Sequence, residues 1–94
     1  MKKAKARHIL VETKERCEEL KKQIAEGANF ADMAAKHSHC PSGRNGGYLG
    51  EFAPGQMVEA FDKVVFSKEV GKVHGPVKTE FGYHLILITE RTEK

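Results

Sequence analysis

Tyr83-His84-Leu85-Ile86-Leu87-Ile88-Thr89 is apolar on both faces that a β-strand presents, with Tyr83, Leu85 and Leu87 alternating against His84, Ile86 and Ile88. A strand buried on both sides belongs at the centre of its sheet, with helices covering at least one face. The one polar side chain inside that apolar run is His84, so a histidine is expected within the core.

The rest of the chain supplies the layers this strand needs. Residues 73–78 form the preceding strand, and residues 7–12 (Arg-His-Ile-Leu-Val-Glu) read as a short buried first strand carrying a second histidine, His8. Thr13 caps a helix in which Cys17, Leu20 and Ile24 recur at helical spacing and Gly27 provides the stop. Asn29 caps a second helix, with Phe30, Met33, Ala34 and His37 on one face. Residues 41–47 are a loop by composition, and residues 48–52 are a short strand. Pro54-Gly55 is a turn before a third helix from about 57 to 66, which places Met57 and Phe61 one turn apart. The order βααβαββ predicts an α+β fold: one mostly antiparallel sheet with helices packed against it.

With 94 residues the chain is expected to be one domain, 1–94, with residues 1–5 a flexible basic tail. Charged residues make up 31 % and apolar residues 39 %, as in a globular protein rather than a disordered one. No apolar run approaches the roughly 20 residues of a membrane span, and the basic start lacks the apolar stretch of a secretory signal, so no membrane partner is expected. A net charge of +3, concentrated in residues 2–7 and without interleaved aromatics, does not point to nucleic acid. The two cysteines, Cys17 and Cys40, form no C-x-x-C pair, and free thiols in a reducing cytoplasm are expected.

Four segments resemble the parvulin family of peptidyl-prolyl cis–trans isomerases: His8-Ile9-Leu10-Val11; Cys40-Pro41-Ser42-Gly43 leading into Gly46-Gly47-Tyr48-Leu49-Gly50; Gly55-Gln56-Met57-Val58-Glu59-Ala60-Phe61; and Gly75-Pro76-Val77-Lys78-Thr79-Glu80-Phe81-Gly82-Tyr83-His84. The resemblance covers residues 6 to about 91. It implies the parvulin (FKBP-like) fold, a four-stranded sheet whose two histidine-bearing strands are adjacent at its centre. It implies a monomeric, cofactor-free enzyme that turns X–Pro bonds in flexible or unfolded polypeptides and so assists folding. His8, Cys40, Thr79 and His84 match the catalytic polar half of the family's site. Leu49, Gln56, Met57 and Phe61 match its substrate pocket. Phe81 replaces the small hydroxyl residue of some relatives and is expected to add an apolar wall.

The chemistry fits these residue types. Rotation about an X–Pro bond faces a barrier of about 18–20 kcal/mol and breaks no covalent bond. A site therefore has to favour the twisted imide over the planar one, by desolvating it and by placing polar groups around it. Two buried histidines close together are expected to be neutral and to organise a hydrogen-bond network. Cys40 is read as a polar member of that network rather than a nucleophile, because relatives carry Asp at the matching position. No basic cluster follows the first strand, so phosphate dependence is not expected. Two rival readings stand beside this one. His37-Ser38-His39-Cys40 with His8 and His84 is a His/Cys concentration without the paired spacing of a zinc site. A non-catalytic module that grips proline-bearing segments is the other.

Overall fold

A computed structural model describes residues 2–93. The elements run β1 (Lys2–Val11), α1 (Lys14–Ala25), α2 (Phe30–His37), a short 3-10 helix (Pro41–Asn45), β2 (Tyr48–Phe52), α3 (Glu59–Val65), β3 (Val73–Thr79) and β4 (Gly82–Glu93). The strands form one sheet in the order β2-β1-β4-β3, and each neighbouring pair is antiparallel. The α+β architecture and the element order match the expectation.

The alternation of β1 and β4 divides the core between two faces. Ile9, Val11 and Leu85 point to one side and meet Cys17 and Leu20 of α1 and Phe30, Met33 and Ala34 of α2. Ala4, Ala6, Ile86 and Ile88 point to the other and meet Phe52, Phe61 and Val65. By the same period of two, His8 lies on the face of Ala4 and Ala6, and His84 on that of Ile86 and Ile88. The register pairs His8 with Ile86 and Leu10 with His84, which makes the two histidines diagonal neighbours on the α3 side.

The helix starts follow the caps read from the sequence. Thr13 Oγ1 accepts from the Arg16 N–H at 3.2 Å, and Asn29 Oδ1 from the Asp32 N–H at 3.0 Å. Beyond α2 the Ser38 hydroxyl accepts from the Leu10 N–H at 3.1 Å and the Cys40 N–H at 3.3 Å, and the His39 N–H donates to the Leu10 carbonyl at 2.8 Å. These bonds lay residues 38–40 alongside β1.

Two expectations are corrected. Residues 2–5 are not a flexible tail. They are the first half of β1, pairing with β4 from Glu90 to Glu93 and, through Ala4 and Lys5, with Phe52 and Glu51. Ala4 is buried, while Lys3 faces Glu51 at 3.7 Å and Lys5 faces Glu90 at 3.2 Å. Alternating Lys and Ala score poorly as strand formers, yet the small residue faces the core and the long cation faces an acid across the strand. Met1, the remainder of that segment, lies outside the described residues. The third helix is also shorter than expected: it begins at Glu59 with Val58 as its N-cap, so Met57 precedes it.

One glycine fixes the position of His8. The Gly47 carbonyl accepts from the His8 N–H at 2.9 Å; its φ is +80°, and a Cβ there would collide with the His8 carbonyl oxygen. Gly50 has a similar φ of +77°, at an irregularity in the β1–β2 register, but a Cβ there meets nothing within 4 Å. Gly50→Ala should therefore cost only the left-handed backbone penalty, about 1–2 kcal/mol. Gly47→Ala should add a steric cost of about 1–3 kcal/mol. Urea denaturation of the two variants checks this, and equal losses would show that Gly47 does not hold the His8 backbone.

Candidate active site

A cavity of about 340 Å³ opens on the α3 side of the sheet. Its lining includes His8, Cys40, Leu49, Met57, Phe61, Phe81 and His84, seven of the nine residues singled out in the sequence. Each comes from a different structural cause. His8 and His84 project from the two central strands. Leu49 lies on β2 and Cys40 in the segment tied to β1 through Ser38. Phe61 stands on α3, Met57 sits just before that helix, and Phe81 is in the turn between β3 and β4.

His8 Nδ1 and His84 Nδ1 are 3.0 Å apart. The ring planes differ by 15° and their centroids are 5.2 Å apart. That separation exceeds the N···N distance by about one ring radius at each end, so the imidazoles meet edge to edge in nearly one plane rather than face to face. One nitrogen donates and the other accepts, so a single proton lies between them. On its far side His84 Nε2 lies 2.7 Å from Thr79 Oγ1, which accepts from the Phe81 N–H at 3.2 Å. The polar chain therefore runs from His8 through His84 and Thr79 to the backbone of Phe81.

Phe61 supports this chain from below. Its ring is perpendicular to both imidazoles, with centroids 5.9 Å from His8 and 6.2 Å from His84 at interplanar angles of 80° and 85°. It also contacts Phe52 edge to face at 5.9 Å, and Phe52 contacts Phe66 at 6.0 Å. At 3 % exposure Phe61 belongs to the core as much as to the cavity. Phe81, by contrast, is 64 % exposed and forms part of the rim.

Burial controls the charge of the pair. His8 and His84 are 6 % and 5 % exposed. The His8 pKa is lowered to about 4, chiefly by desolvation and then by the positive charge that His84 would carry. Desolvation lowers that of His84 as well. Both rings are neutral at pH 7. The geometry agrees, because two imidazolium rings would direct two N–H groups at each other across 3.0 Å.

The remaining two of the nine stand apart from the cavity. Thr79 acts through His84, as described. Gln56 was expected to bind substrate, but its Oε1 accepts from the Ala53 N–H at 2.6 Å, closing the turn before α3, and its side chain faces a different surface hollow with Lys3 and Glu51. Leu10, His39 and Val58 line the cavity without having been singled out. Leu10 was legible, since it lies two residues from His8 on the same strand face.

The His37–Cys40 run is divided by the fold. His37 Nδ1 lies 3.0 Å from Arg16 Nη2, while His39 Nδ1 lies 3.7 Å from Glu12. Among the described residues no group of three or more His, Cys, Asp or Glu side chains converges as a metal site would require. Arg16, Lys36 and His37 instead line a second, more polar hollow with Glu12 and Thr13, which shares His39 with the first. This grouping of Arg16, Lys36 and His37 was not visible in the sequence.

Comparison with known proteins places this geometry. The family model for the rotamase, PPIC-type PPIASE domain matches residues 2–90. The foldase protein PrsA of Bacillus subtilis is 45 % identical over 93 residues, covering 98 % of this chain and 32 % of that protein. PrsA of a Geobacillus species is 44 % identical, covering 98 % of this chain and 34 % of its own. The chain thus spans about a third of the length of these curated relatives. The crystal structure of PrsA from Bacillus anthracis superposes with a TM-score of 0.94 at 33 % identity, over 98 % of this chain and 43 % of that one. The solution structure of NmPin, the parvuline of Nitrosopumilus maritimus, superposes with a TM-score of 0.84 at 35 % identity, over 94 % of this chain and 96 % of that one.

The neutral pair has a measurable linkage to stability. The folded pKa of His8 is depressed below its unfolded value of 6.5, so the unfolded chain binds the extra proton. Stability should be full above about pH 6.5 and decline as pH falls through the window down to about 4, by about 3 kcal/mol from His8 alone. The His8→Asn variant should lose this share of the pH dependence. Imidazole NMR should show neutral His8 and His84 at pH 7. A folded-state titration of His8 near 6.5 would contradict the assignment.

Proposed function

The chain belongs to the PPIC-type peptidyl-prolyl isomerase family and has the parvulin fold, and on that premise we propose that its cavity takes up the proline ring of an X–Pro segment and lowers the barrier to its cis–trans rotation. The observation that carries this reading is one cavity with an apolar wall on one side and a hydrogen-bonded, uncharged histidine pair on the other.

Planar amide resonance separates charge and is strengthened by water. Leu49, Met57, Phe61 and Val58 remove water from one side of the imide, which weakens that resonance and favours the twisted form. The neutral imidazoles and Cys40 face the same space, and the place of the imidazoles in a fixed network means that they need not reorganise as the bond turns. Rotation transfers no group and no electrons, so the residues' task is to shape and desolvate the site. In this reading Thr79 positions His84, and Phe81 walls the rim.

The same reading makes proline-bearing, flexible polypeptides the substrates and assistance to folding the role. Substrate phosphate is not required. Arg16 in the neighbouring hollow is already engaged by Glu19 at 3.3 Å and by His37, and Glu12 adds negative charge there. The chain is proposed to act as a monomer and without nucleic acid; for the latter, Lys3 and Lys5 of the basic N-terminal strand already face acids within the sheet. A reducing, cytoplasmic location is part of the same proposal, and Cys17 and Cys40 would remain thiols there.

Exchange NMR or a protease-coupled assay on X–Pro tetrapeptides, run in the presence of a chelator, tests the activity. Acceleration is expected, with comparable kcat/KM for unmodified and phosphoserine-proline peptides. Binding without acceleration would favour the gripping module. Met57→Ala should lower kcat/KM by a few kcal/mol at most and leave the fold intact, since Met57 is only half-buried. Phe61→Ala is a poorer probe, because losing this core ring should cost about 3–5 kcal/mol of stability. Cys40→Asp should keep far more activity than Cys40→Ala. An inactive Asp variant together with a covalent substrate adduct on Cys40 would restore the nucleophile.

A further inference from the structure

The wall of the cavity formed by Met57 and Val58 belongs to neither a strand nor a helix. It lies in residues 53–58, between the end of β2 at Phe52 and the start of α3 at Glu59. Val58, the N-cap of α3, makes no side-chain capping bond. The two bonds that shape the tip of this turn internally, Gln56 N–H to the Ala53 carbonyl at 3.2 Å and Ala53 N–H to Gln56 Oε1 at 2.6 Å, close the turn on itself and attach it to nothing else. The tie from the tip to the helix is Asp62 Oδ2, which accepts from the Gly55 N–H at 2.6 Å.

Asp62 follows Phe61 directly on α3, so the helix that supplies the cavity floor also holds the turn that supplies its wall. The other carboxylate oxygen, Oδ1, is buried and has no hydrogen-bond partner among the described residues. A carboxylate kept this way carries a desolvation penalty that a solvent-facing side chain at the same helix position would avoid. We propose that Asp62 is a positioning residue for the isomerase: its bond to Gly55 sets where Met57 stands over Phe61, and hence the width of the space that receives the proline. The inference rests on reading this cavity as the proline site. It assigns Asp62 no contact with the substrate.

The kinetic signature separates positioning from mere stability. Partial unfolding reduces the amount of active enzyme, which lowers apparent kcat and leaves KM unchanged. A displaced Met57 weakens uniform binding of the proline ring, which raises KM. Asp62→Ala should raise KM for a Leu-Pro tetrapeptide by about five- to tenfold, a fraction of what one hydrogen bond to a charged group contributes, because the bond lost acts on the substrate only through Met57. It should also shift the Met57 methyl resonance in the free protein. Asp62→Asn keeps an oxygen acceptor for Gly55 and should bring KM back to within about twofold of wild type. In a Met57→Ala background Asp62→Ala should change KM by less than about twofold, because the side chain it positions is gone.

An unchanged KM in Asp62→Ala would overturn the proposal. So would a full penalty that persists in the Met57→Ala background. If Asp62→Ala does not fold, Asp62→Ser, whose hydroxyl is too short to reach Gly55, reads the same loss. Peptide affinity by NMR titration is measured in parallel. If wild type binds without turnover, the isomerase reading fails while the affinity series still decides the role of Asp62.

Discussion

One proton shared by two neutral imidazoles sets the terms for the rest of the molecule. It can lie between His8 Nδ1 and His84 Nδ1 only if β1 and β4 are adjacent, antiparallel and in a register that makes the two residues diagonal neighbours on one face. A slip of one residue would turn either ring to the α1–α2 side, into the space of Ile9 and Leu85. The contact also forbids both rings from being charged at once, and the surrounding apolar layer disfavours charge on either. Sheet register, burial and protonation state are therefore one condition seen at three scales.

The site is built inside the core rather than beside it. Phe61 packs against Phe52, supports both imidazoles and floors the cavity, so a single ring serves the fold and the chemistry. Small domains have little interior to spare, and this one uses the same apolar layer to hold α3 on the sheet and to line the cavity. Substitutions that tune the pocket from below will often be read as folding defects. Those at the rim, where Phe81 and Val58 are exposed, are freer to alter what the cavity admits without disturbing the fold.

Much of this was legible beforehand, for identifiable reasons. The two-faced apolar pattern of residues 83–89 marks a central strand whatever the tertiary context, and Thr13 and Asn29 announce helix starts through local chemistry. The grouping of His8, Cys40, Met57, Phe61 and His84 came from family resemblance, because no period in a sequence brings positions 8 and 84 together. What was missed depended on partners distant in the chain. Residues 2–5 look like a basic tail until Glu51 and Glu90 lie opposite them. Gln56 looks like a pocket residue until the turn at Ala53 claims its oxygen. The role of Asp62 depends on a backbone N–H seven residues earlier, in a turn whose shape is not encoded by side-chain periodicity.

The stem formed by the outer halves of β1 and β4 has a consequence for how such a unit can be combined with others. Lys2 and Glu93 are direct partners in the ladder, so the backbone enters and leaves the fold about 5 Å apart, one rung of a sheet. A surface loop of some larger protein has a similar spacing between its two ends. A fold that begins and ends on the same rung can be grafted into such a loop without prising the host apart, and the paired stem would carry it as a rigid stalk. Geometry of this kind lets such a unit change its surroundings while its histidine pair, on the inner part of the same two strands, stays in register.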